Sequence, residues 1–305
     1  MHYIPVTPNY NQRKVIVYHD VAGYGDYDDS LGHGTHTSGS IAGDHSAHIG
    51  QYDTNDGMAY NAKLVFQDLG RDGSSSIYPP SDLNDLFQQA YNDGARIHSN
   101  SWGSSSSSYT TDSKESDEFM WNHKDFLILF ANGNAGPSNN TVGSPATAKN
   151  VVSVGATLNG ASAESMADFS SHGPTDDGRL KPTVGAPGSY IYSADSDGNI
   201  NSYNCGYVSM SGTSMATPTT AGAAALIRQY FTDGFYPSGT ANSRDSITPS
   251  AALLKAMLIN SAIEMNGSYT GGTIPSNGQG WGRILLDDAL YFNGDSRQLK
   301  IHDSI

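Results

Sequence analysis

Short apolar runs that alternate with helix-like stretches are the feature that most limits how this chain of 305 residues can fold. The runs carry few polar interruptions, as parallel strands covered on both faces do. They lie at residues 14–18 (KVIVY), 63–67 (KLVFQ), 126–131 (FLILFA) and 151–155 (VVSVG). The stretches that predict helices lie at residues 33–42, 81–94, 113–124 and 215–230. This alternation predicts an α/β domain with a mainly parallel sheet.

The charge balance excludes one broad class of function. The chain has 16 Lys and Arg against 30 Asp and Glu, a formal net charge of −14, and no block of like charges. A nucleic-acid-binding protein needs a basic face that neutralises phosphates. The composition therefore indicates a solvated acidic surface and argues against nucleic-acid partners.

Two further features limit the class of protein. No apolar run approaches the roughly 18–20 residues that span a bilayer, so no transmembrane segment is expected. Cys205 is the only cysteine, which rules out a disulfide within the chain. A lone cysteine most often packs as a small hydrophobe, so we expect Cys205 to be buried.

Three separated segments carry the chemistry. They are residues 32–39 (GHGTHTSG), 131–137 (ANGNAGP) and 211–218 (SGTSMATP). Ser214 precedes a small-residue helix, where free N–H groups and the positive end of the helix dipole favour a developing oxyanion. His33 can serve as its base, because a neutral imidazole is available near pH 7. We expect Pro218 to be tolerated because first-turn N–H groups lack helical partners.

Each residue also has a structural interpretation. Ser214 can be a plain N-cap, and His33 a histidine that is hydrogen-bonded in a glycine-rich turn. Asn134 can be a turn residue in the loop after the strand at 126–131. It is the occurrence of all three segments in this order that favours catalysis.

In this order the segments resemble the histidine, oxyanion and serine motifs of the subtilases, a family of serine peptidases. The resemblance implies a subtilisin-like three-layer α/β/α fold with a mainly parallel central sheet. It implies catalysis by His33 and Ser214, with the Asn134 side-chain amide donating to the oxyanion. It also implies peptide or protein substrates and no required cofactor.

The resemblance extends to two candidate walls of a substrate pocket. Ser101, Trp102 and Gly103 resemble an extended strand that pairs with the substrate backbone. Ala131, Asn132 and Gly133 would form the opposite wall, although Asn132 replaces the small residue usual there. Trp102 can equally be a core aromatic.

Paired histidines raise the question of a metal. His36 follows His33 by three residues, and His45 and His48 repeat that spacing. There is no HExxH glutamate and no cysteine cluster to complete a zinc set. The second histidine of the subtilase motif is structural, so we expect no metal at these positions. Structural calcium is common in the family, but no ligand set can be assigned.

The carboxylate that should orient His33 is not found where the family carries it. Subtilases place it in an Asp-[Ser/Thr]-Gly segment at the end of the first core strand. Asp20 ends a strand-like run, but by resemblance that run is the next strand. Asp26, Asp28 and Asp29 follow in a loop, where calcium ligation is a weaker alternative to solvation. We therefore expect the aspartate upstream of Met1.

These expectations combine into one organisation. Residues 1–291 would form an N-terminally incomplete peptidase domain, and residues 292–305 the start of a truncated C-terminal segment. The favoured function is a serine endopeptidase that works through an acyl-enzyme. A catalytically inactive peptidase fold that binds partners is the alternative. An α/β-hydrolase is excluded because the serine segment is not GxSxG and histidine precedes serine. Secretion is expected from the resemblance alone.

Overall fold

A computed structural model describes residues 7–24, 31–45, 48–71, 74, 76–199, 202 and 204–303. The strands are β1 (Val15–Asp20), β2 (Leu64–Asp68), β3 (Ile97–Asn100), β4 (Leu127–Ala131), β5 (Val152–Thr157), β6 (Val184–Pro187), β7 (Ile191–Ala194), β8 (Tyr207–Met210), β9 (Ala262–Ile263) and β10 (Arg283–Ile284). The α-helices are α1 (His33–Ala42), α2 (Leu83–Asn92), α3 (Thr111–Asn122), α4 (Thr213–Thr232) and α5 (Ala251–Asn260). Short 3₁₀ turns lie at Gly160–Ser162, Ser243–Asp245 and Leu286–Asp288.

The central sheet has six strands in the order β3-β4-β5-β6-β10-β9. All neighbours are parallel except β10 and β9. Every residue of β4 and β5 is buried. Because successive side chains point to opposite faces, both faces of the sheet must be covered by helices. The predicted three-layer α/β/α fold with a mainly parallel sheet is confirmed.

Local signals explain where individual helices begin. Asp82 caps α2 by accepting a hydrogen bond from the Asn84 N–H, and Gly94 follows with φ +95°. The small residues of α4 allow close packing: a Cβ on Gly222 would lie 2.6 Å from the Met58 Cβ and 3.2 Å from the Ile41 carbonyl oxygen. Gly222 therefore sets how closely α1 and the segment after it approach α4.

Strands β1 and β2 form a separate parallel pair beside the central sheet. Between β2 and β3 lies a cavity of about 1470 Å³, lined by Leu64–Leu69 on one side and Ile97–Gly103 on the other. Within the described ranges, the edge of β2 away from β1 and the edge of β3 away from β4 have no strand partner. We call this cavity, between the two strand edges, the interstrand slot.

One side-chain contact crosses the interstrand slot. The Gln67 amide donates to the Leu86 carbonyl and to Gln89, which leaves its Oε1 as an acceptor. His98 Nε2 lies 2.8 Å from that Oε1 and therefore donates its N–H to it. Burial lowers the pKa of His98 to about 4, in keeping with a ring that stays uncharged.

The C-terminal residues pack against the same body. Phe292 lies edge-on to Tyr230, with ring centroids 5.6 Å apart. The Asp303 carboxylate accepts hydrogen bonds from the Ser250 N–H at 2.8 Å and the Ser250 hydroxyl at 2.6 Å, beside the start of α5. A boundary at residue 291 stays a prediction. Cys205 is exposed, so the expectation that it packs inside is wrong: it lies in the loop before β8, outside the layered core.

Candidate active site

Ser214 lies in the first turn of α4, close against the sheet. Gly188 makes this approach possible, because a Cβ there would lie 2.6 Å from the Ala156 Cβ and 2.7 Å from the Gly212 carbonyl oxygen. The Gly212 N–H donates to the Gly188 carbonyl at 2.8 Å. The segment before the serine is therefore fixed by the end of β6.

Ser101 and Ser214 exchange hydrogen bonds across the ends of β3 and α4. The Ser214 Oγ donates to the Ser101 carbonyl at 3.1 Å, and the Ser101 Oγ donates to the Ser214 carbonyl at 2.8 Å. In a regular helix the Ser214 carbonyl would accept from residue 218, which is a proline without an N–H. The Ser101 hydroxyl replaces that missing donor.

This contact corrects one expectation. Pro218 was expected to be tolerated because first-turn N–H groups have no helical partner. With α4 beginning at Thr213, the bond from residue 218 would belong to the hydrogen-bonded part of the helix. Pro218 is accommodated instead because Ser101, from another strand, satisfies the Ser214 carbonyl.

Asn134 is oriented by the residue before the serine. Its Oδ1 accepts from the Thr213 N–H at 2.9 Å and from the Thr213 hydroxyl at 3.0 Å. Since both partners are donors, the other end of the amide must be the NH₂ group. A Cβ on Gly212 would lie 3.5 Å from Asn134 Nδ2 and 3.6 Å from the Ser214 backbone nitrogen. Both nitrogens therefore lie close to the same space beside Gly212.

His33 is the first residue of α1 and is exposed. The preceding Gly32 has φ +71°, a left-handed conformation that glycine adopts without strain. A Cβ on Gly32 would lie 3.6 Å from the Met210 Cε, which places the start of α1 beside the end of β8. His33 lines the interstrand slot together with Ser101, Trp102 and Gly103.

His36 is buried and plays a structural part, as the resemblance implies. Its Nε2 lies 2.9 Å from the Ile191 carbonyl, and its own carbonyl accepts from the Ser193 hydroxyl at 2.8 Å. Burial lowers the pKa of this ring. The contacts hold α1 against the β7–β8 hairpin.

The expected pocket walls differ in how much their side chains can reach a ligand. Trp102 packs edge-on against Phe130 at 5.3 Å and also lines the interstrand slot, so it serves both the core and the cavity surface. Gly103 is exposed and Ala131 is buried. The Gly133 N–H donates to the Thr213 hydroxyl at 3.2 Å. Asn132 is fully buried and donates to the Ser171 carbonyl at 2.6 Å, so only its backbone can border a pocket.

The candidate carboxylates divide into two groups. The Asp20 Oδ1 accepts from the Gly23 N–H at 2.7 Å and the Tyr24 N–H at 3.2 Å, which makes it a turn-forming residue at the end of β1. Asp26, Asp28 and Asp29 lie outside the described residues. Among the described ranges, no helix has both the length and the apolar character to cross a bilayer.

Sequence reasoning missed the roles of two residues. Thr213 orients Asn134 through both its N–H and its hydroxyl, and Ser101 holds the Ser214 carbonyl. The position of Thr213 directly before Ser214 was a signal for its role. The Ser101 contact spans 113 residues of sequence, so no local pattern reveals it.

Comparisons with known proteins agree on one family. The sequence model described as the subtilase family matches residues 3–282. "Serine protease/ABC transporter B family protein tagD" of Dictyostelium discoideum is 34% identical over 392 aligned positions, which cover 93% of this chain and 21% of that protein. "Serine protease AprX" of Bacillus subtilis (strain 168) is 34% identical, over 67% of this chain and 49% of the relative. The chain thus spans about a fifth of the length of the first relative and half of the second.

Solved structures support the same fold. The structure titled "Sphericase" superposes with a TM-score of 0.61 at 29% sequence identity, covering 83% of this chain and 77% of that one. The similarity therefore includes sequence as well as architecture.

Proposed function

The chain belongs to the subtilase family of serine peptidases, and we propose that it hydrolyses peptide bonds within polypeptides with Ser214 as nucleophile and His33 as general base. One observation carries the proposal: the Ser214 backbone nitrogen and Asn134 Nδ2 lie close to the same space beside Gly212, next to the proposed nucleophile. Two N–H donors near one point would suit an oxyanion, which is the charge that develops in acyl transfer.

The reaction then runs through an acyl-enzyme. His33 takes the Ser214 proton as the Oγ attacks the substrate carbonyl, whose oxygen becomes an oxyanion held by the Ser214 and Asn134 donors. The protonated His33 gives the proton to the departing amine. Water, deprotonated by His33, then attacks the ester and releases the second product.

The proposed substrate is a polypeptide that binds in an extended conformation. Residues 101–103 follow directly from β3 and border the cavity that His33 also lines. Backbone pairing with such a segment supplies hydrogen bonds that do not depend on substrate sequence. The backbone of Ala131, Asn132 and Gly133 would form the facing wall. Asn132 offers no side chain there, because its amide is bound to Ser171.

The third catalytic group would be a carboxylate on a strand in the interstrand slot. The slot is bordered by two strand edges that lack partners among the described residues, and both strands belong to parallel ladders. A parallel strand inserted there would satisfy both edges and join β1–β2 to the central sheet. We propose that a segment outside residues 1–305 supplies this strand, ending in the aspartate that orients His33.

This arrangement predicts a low activity without the strand. In a related subtilisin, loss of the aspartate alone lowers kcat by about 3 × 10⁴-fold. At about 1.4 kcal/mol per factor of ten, that equals about 6 kcal/mol of transition-state stabilisation. The 305 residues by themselves would therefore acylate slowly.

Labelling by a fluorophosphonate probe tests the proposal. The probe reacts with an activated serine, so we expect covalent label at Ser214, located by mass spectrometry, and none in Ser214→Ala. A synthetic apolar strand peptide ending in Asp-Ser-Gly should raise the labelling rate, whereas its twin ending in Asn-Ser-Gly should not.

Two results would contradict the proposal. Label at another residue would refute the nucleophile, and equal rates with the two peptides would refute the role of the slot. Binding of peptide ligands with no label under any condition would favour the alternative, a catalytically inactive peptidase fold that binds partners. Secretion and structural calcium are further proposals that rest on the family alone.

A further inference from the structure

The segment after α1 brings together three side chains that can bind a metal. His48 Nδ1 lies 2.7 Å from the Asp53 Oδ2, and His45 Nδ1 lies 3.4 Å from the same oxygen. One ligand atom from each residue lies within 4.8 Å of the other two. Asp53, which follows His48 by five residues, thus adds a carboxylate to the repeated histidine spacing.

The separations fit a small tetrahedral ion. Zinc held at about 2.0–2.2 Å from each ligand separates neighbouring ligand atoms by about 3.4 Å. His45 and Asp53 already have that spacing. The His48–Asp53 contact would need to widen by about 0.7 Å, which only requires that the exposed His48 exchange a hydrogen bond for a coordinate bond.

The His45 ring has a polar atom that the protein leaves unused. Its Nδ1 is buried and has no hydrogen-bond partner among the described residues, although the ring as a whole is 39% exposed. A buried ring nitrogen without a partner costs free energy unless something else binds it. It lies 3.4 Å from the Asp53 Oδ2, so an ion placed between the two atoms would give it a partner.

The neighbouring Asp56 carboxylate holds two of the proposed ligands in position. Asp56 accepts from the His45 N–H at 2.8 Å and from the Asp53 N–H at 2.7 Å, so one carboxylate joins the two ligand-bearing residues. The Asp53 Oδ1 accepts from the Asn55 N–H at 2.9 Å, which leaves Oδ2 for the ion. The Asn55 N–H is also the main reason that the pKa of Asp53 is lowered to about 2.

We propose that His45 and His48, through Nδ1, and Asp53, through Oδ2, bind a zinc ion, with water as the fourth ligand. Two imidazole nitrogens and one carboxylate oxygen suit zinc, whereas calcium and magnesium prefer oxygen ligands alone. The sequence patterns argue against zinc, because they include no HExxH glutamate and no cysteine cluster. The structure brings the Asp53 carboxylate to the two histidines and so provides the third ligand.

The site would stabilise the connection behind the catalytic helix. The Gly57 N–H donates to the Gly43 carbonyl, and the Met58 N–H donates to the Ser40 carbonyl, so the chain that follows Asp53 returns to the end of α1. That helix begins at His33. A zinc ion across this connection would resist its local opening and slow proteolytic cleavage within it.

Metal titration tests the proposal on the 305-residue chain, stripped of metal by a chelator. We expect one equivalent of Zn²⁺ with micromolar affinity or tighter, measured by competition with a chromophoric chelator. Co²⁺ should give the intense visible absorption of tetrahedral coordination. Asp53→Asn keeps the Oδ1 contacts but loses the ligand, and should weaken binding at least about tenfold, as should His48→Ala.

Two control variants make the result specific. His302→Ala removes an exposed histidine elsewhere, and His33→Ala removes the proposed catalytic ring; both should bind zinc like the parent. Circular dichroism checks that each variant is folded. Equal affinity in all variants would mean an adventitious ion only and would overturn the proposal, as would substoichiometric binding by the parent.

Discussion

The Ser101 hydroxyl donates to the Ser214 carbonyl at 2.8 Å, in the place where Pro218 cannot. Ser214 therefore sits in the first turn of a helix where its own carbonyl is satisfied from a neighbouring strand. The same pair carries the reverse bond, from the Ser214 Oγ to the Ser101 carbonyl. In the proposed mechanism, proton transfer from Ser214 to His33 would break this second bond but not the first.

Ser101→Ala should lower the free energy of unfolding by about 1–3 kcal/mol, because it leaves the Ser214 carbonyl without a partner. Pro218→Ala restores the missing N–H, so the double variant should recover most of the loss. Urea unfolding of the two single variants and the double variant measures the coupling. Ser105→Ala, an exposed serine in the same segment, is the control and should change little. Additive effects would show that Ser101 does not replace the helix bond.

Asn134→Asp separates the two ends of the amide. The acceptor to Thr213 remains, but a carboxylate oxygen replaces the NH₂ group beside Gly212. We expect fluorophosphonate labelling of Ser214 to slow by about 10²–10³-fold. Thermal unfolding should shift little at the same pH. Labelling at the parental rate would mean that Asn134 does not hold the oxyanion.

Gly222→Ala should destabilise the fold even though alanine favours helices. The new Cβ would meet the Met58 Cβ at 2.6 Å, and overpacking of this kind costs about 1–3 kcal/mol, more than the ~1 kcal/mol gained in helix propensity. Met58→Gly in the same chain removes that Cβ and should recover part of the penalty, at little cost in burial because Met58 is 41% exposed. Chemical denaturation of the single and double variants decides. A stabilised single variant would contradict the close approach of the two segments.

Protonation of His98 should lower the free energy of unfolding at acidic pH. Its pKa is lowered to about 4 by burial, against about 6.5 in an unfolded chain. Since the unfolded chain binds the proton more readily, stability is lost as the pH falls from about 6.5 toward 4, by about 2 kcal/mol between pH 7 and pH 5. His98→Gln can still donate to Gln67 but does not titrate in this range. Between pH 7 and pH 5 the parent should therefore lose about 2 kcal/mol of unfolding free energy relative to the variant. A difference that stays the same over this range would show that His98 is not protected from protonation.

Sequence patterns predicted most of the sheet and helices where local signals were strong. Helix α1 occupies residues 33–42 as expected, and Asp82 caps α2. Helix α5 was not predicted because its sequence, AALLKAMLIN, is apolar on nearly every side and lacks the polar alternation that marks an amphipathic helix. The separation of β1–β2 from the central sheet could not be predicted either, since strand runs do not encode which edges pair.

The candidate site was predictable in its parts but not in its contacts. The motifs identify Ser214, His33 and Asn134 as candidates, but the orientation of the Asn134 amide depends on Thr213, and the Ser214 carbonyl depends on Ser101. The buried position of Asn132 is another such case, because its partner Ser171 is 39 residues away. These contacts are set by tertiary packing, which a linear motif does not contain.

The interstrand slot also has a consequence for handling the protein. Among the described residues, two parallel ladders face each other with open edges, and open edges pair readily with extended segments of other molecules. At high concentration the 305 residues should therefore exchange strands between copies and self-associate. An added strand peptide that fills the slot would cover these edges, and should therefore reduce self-association as well as raise activity.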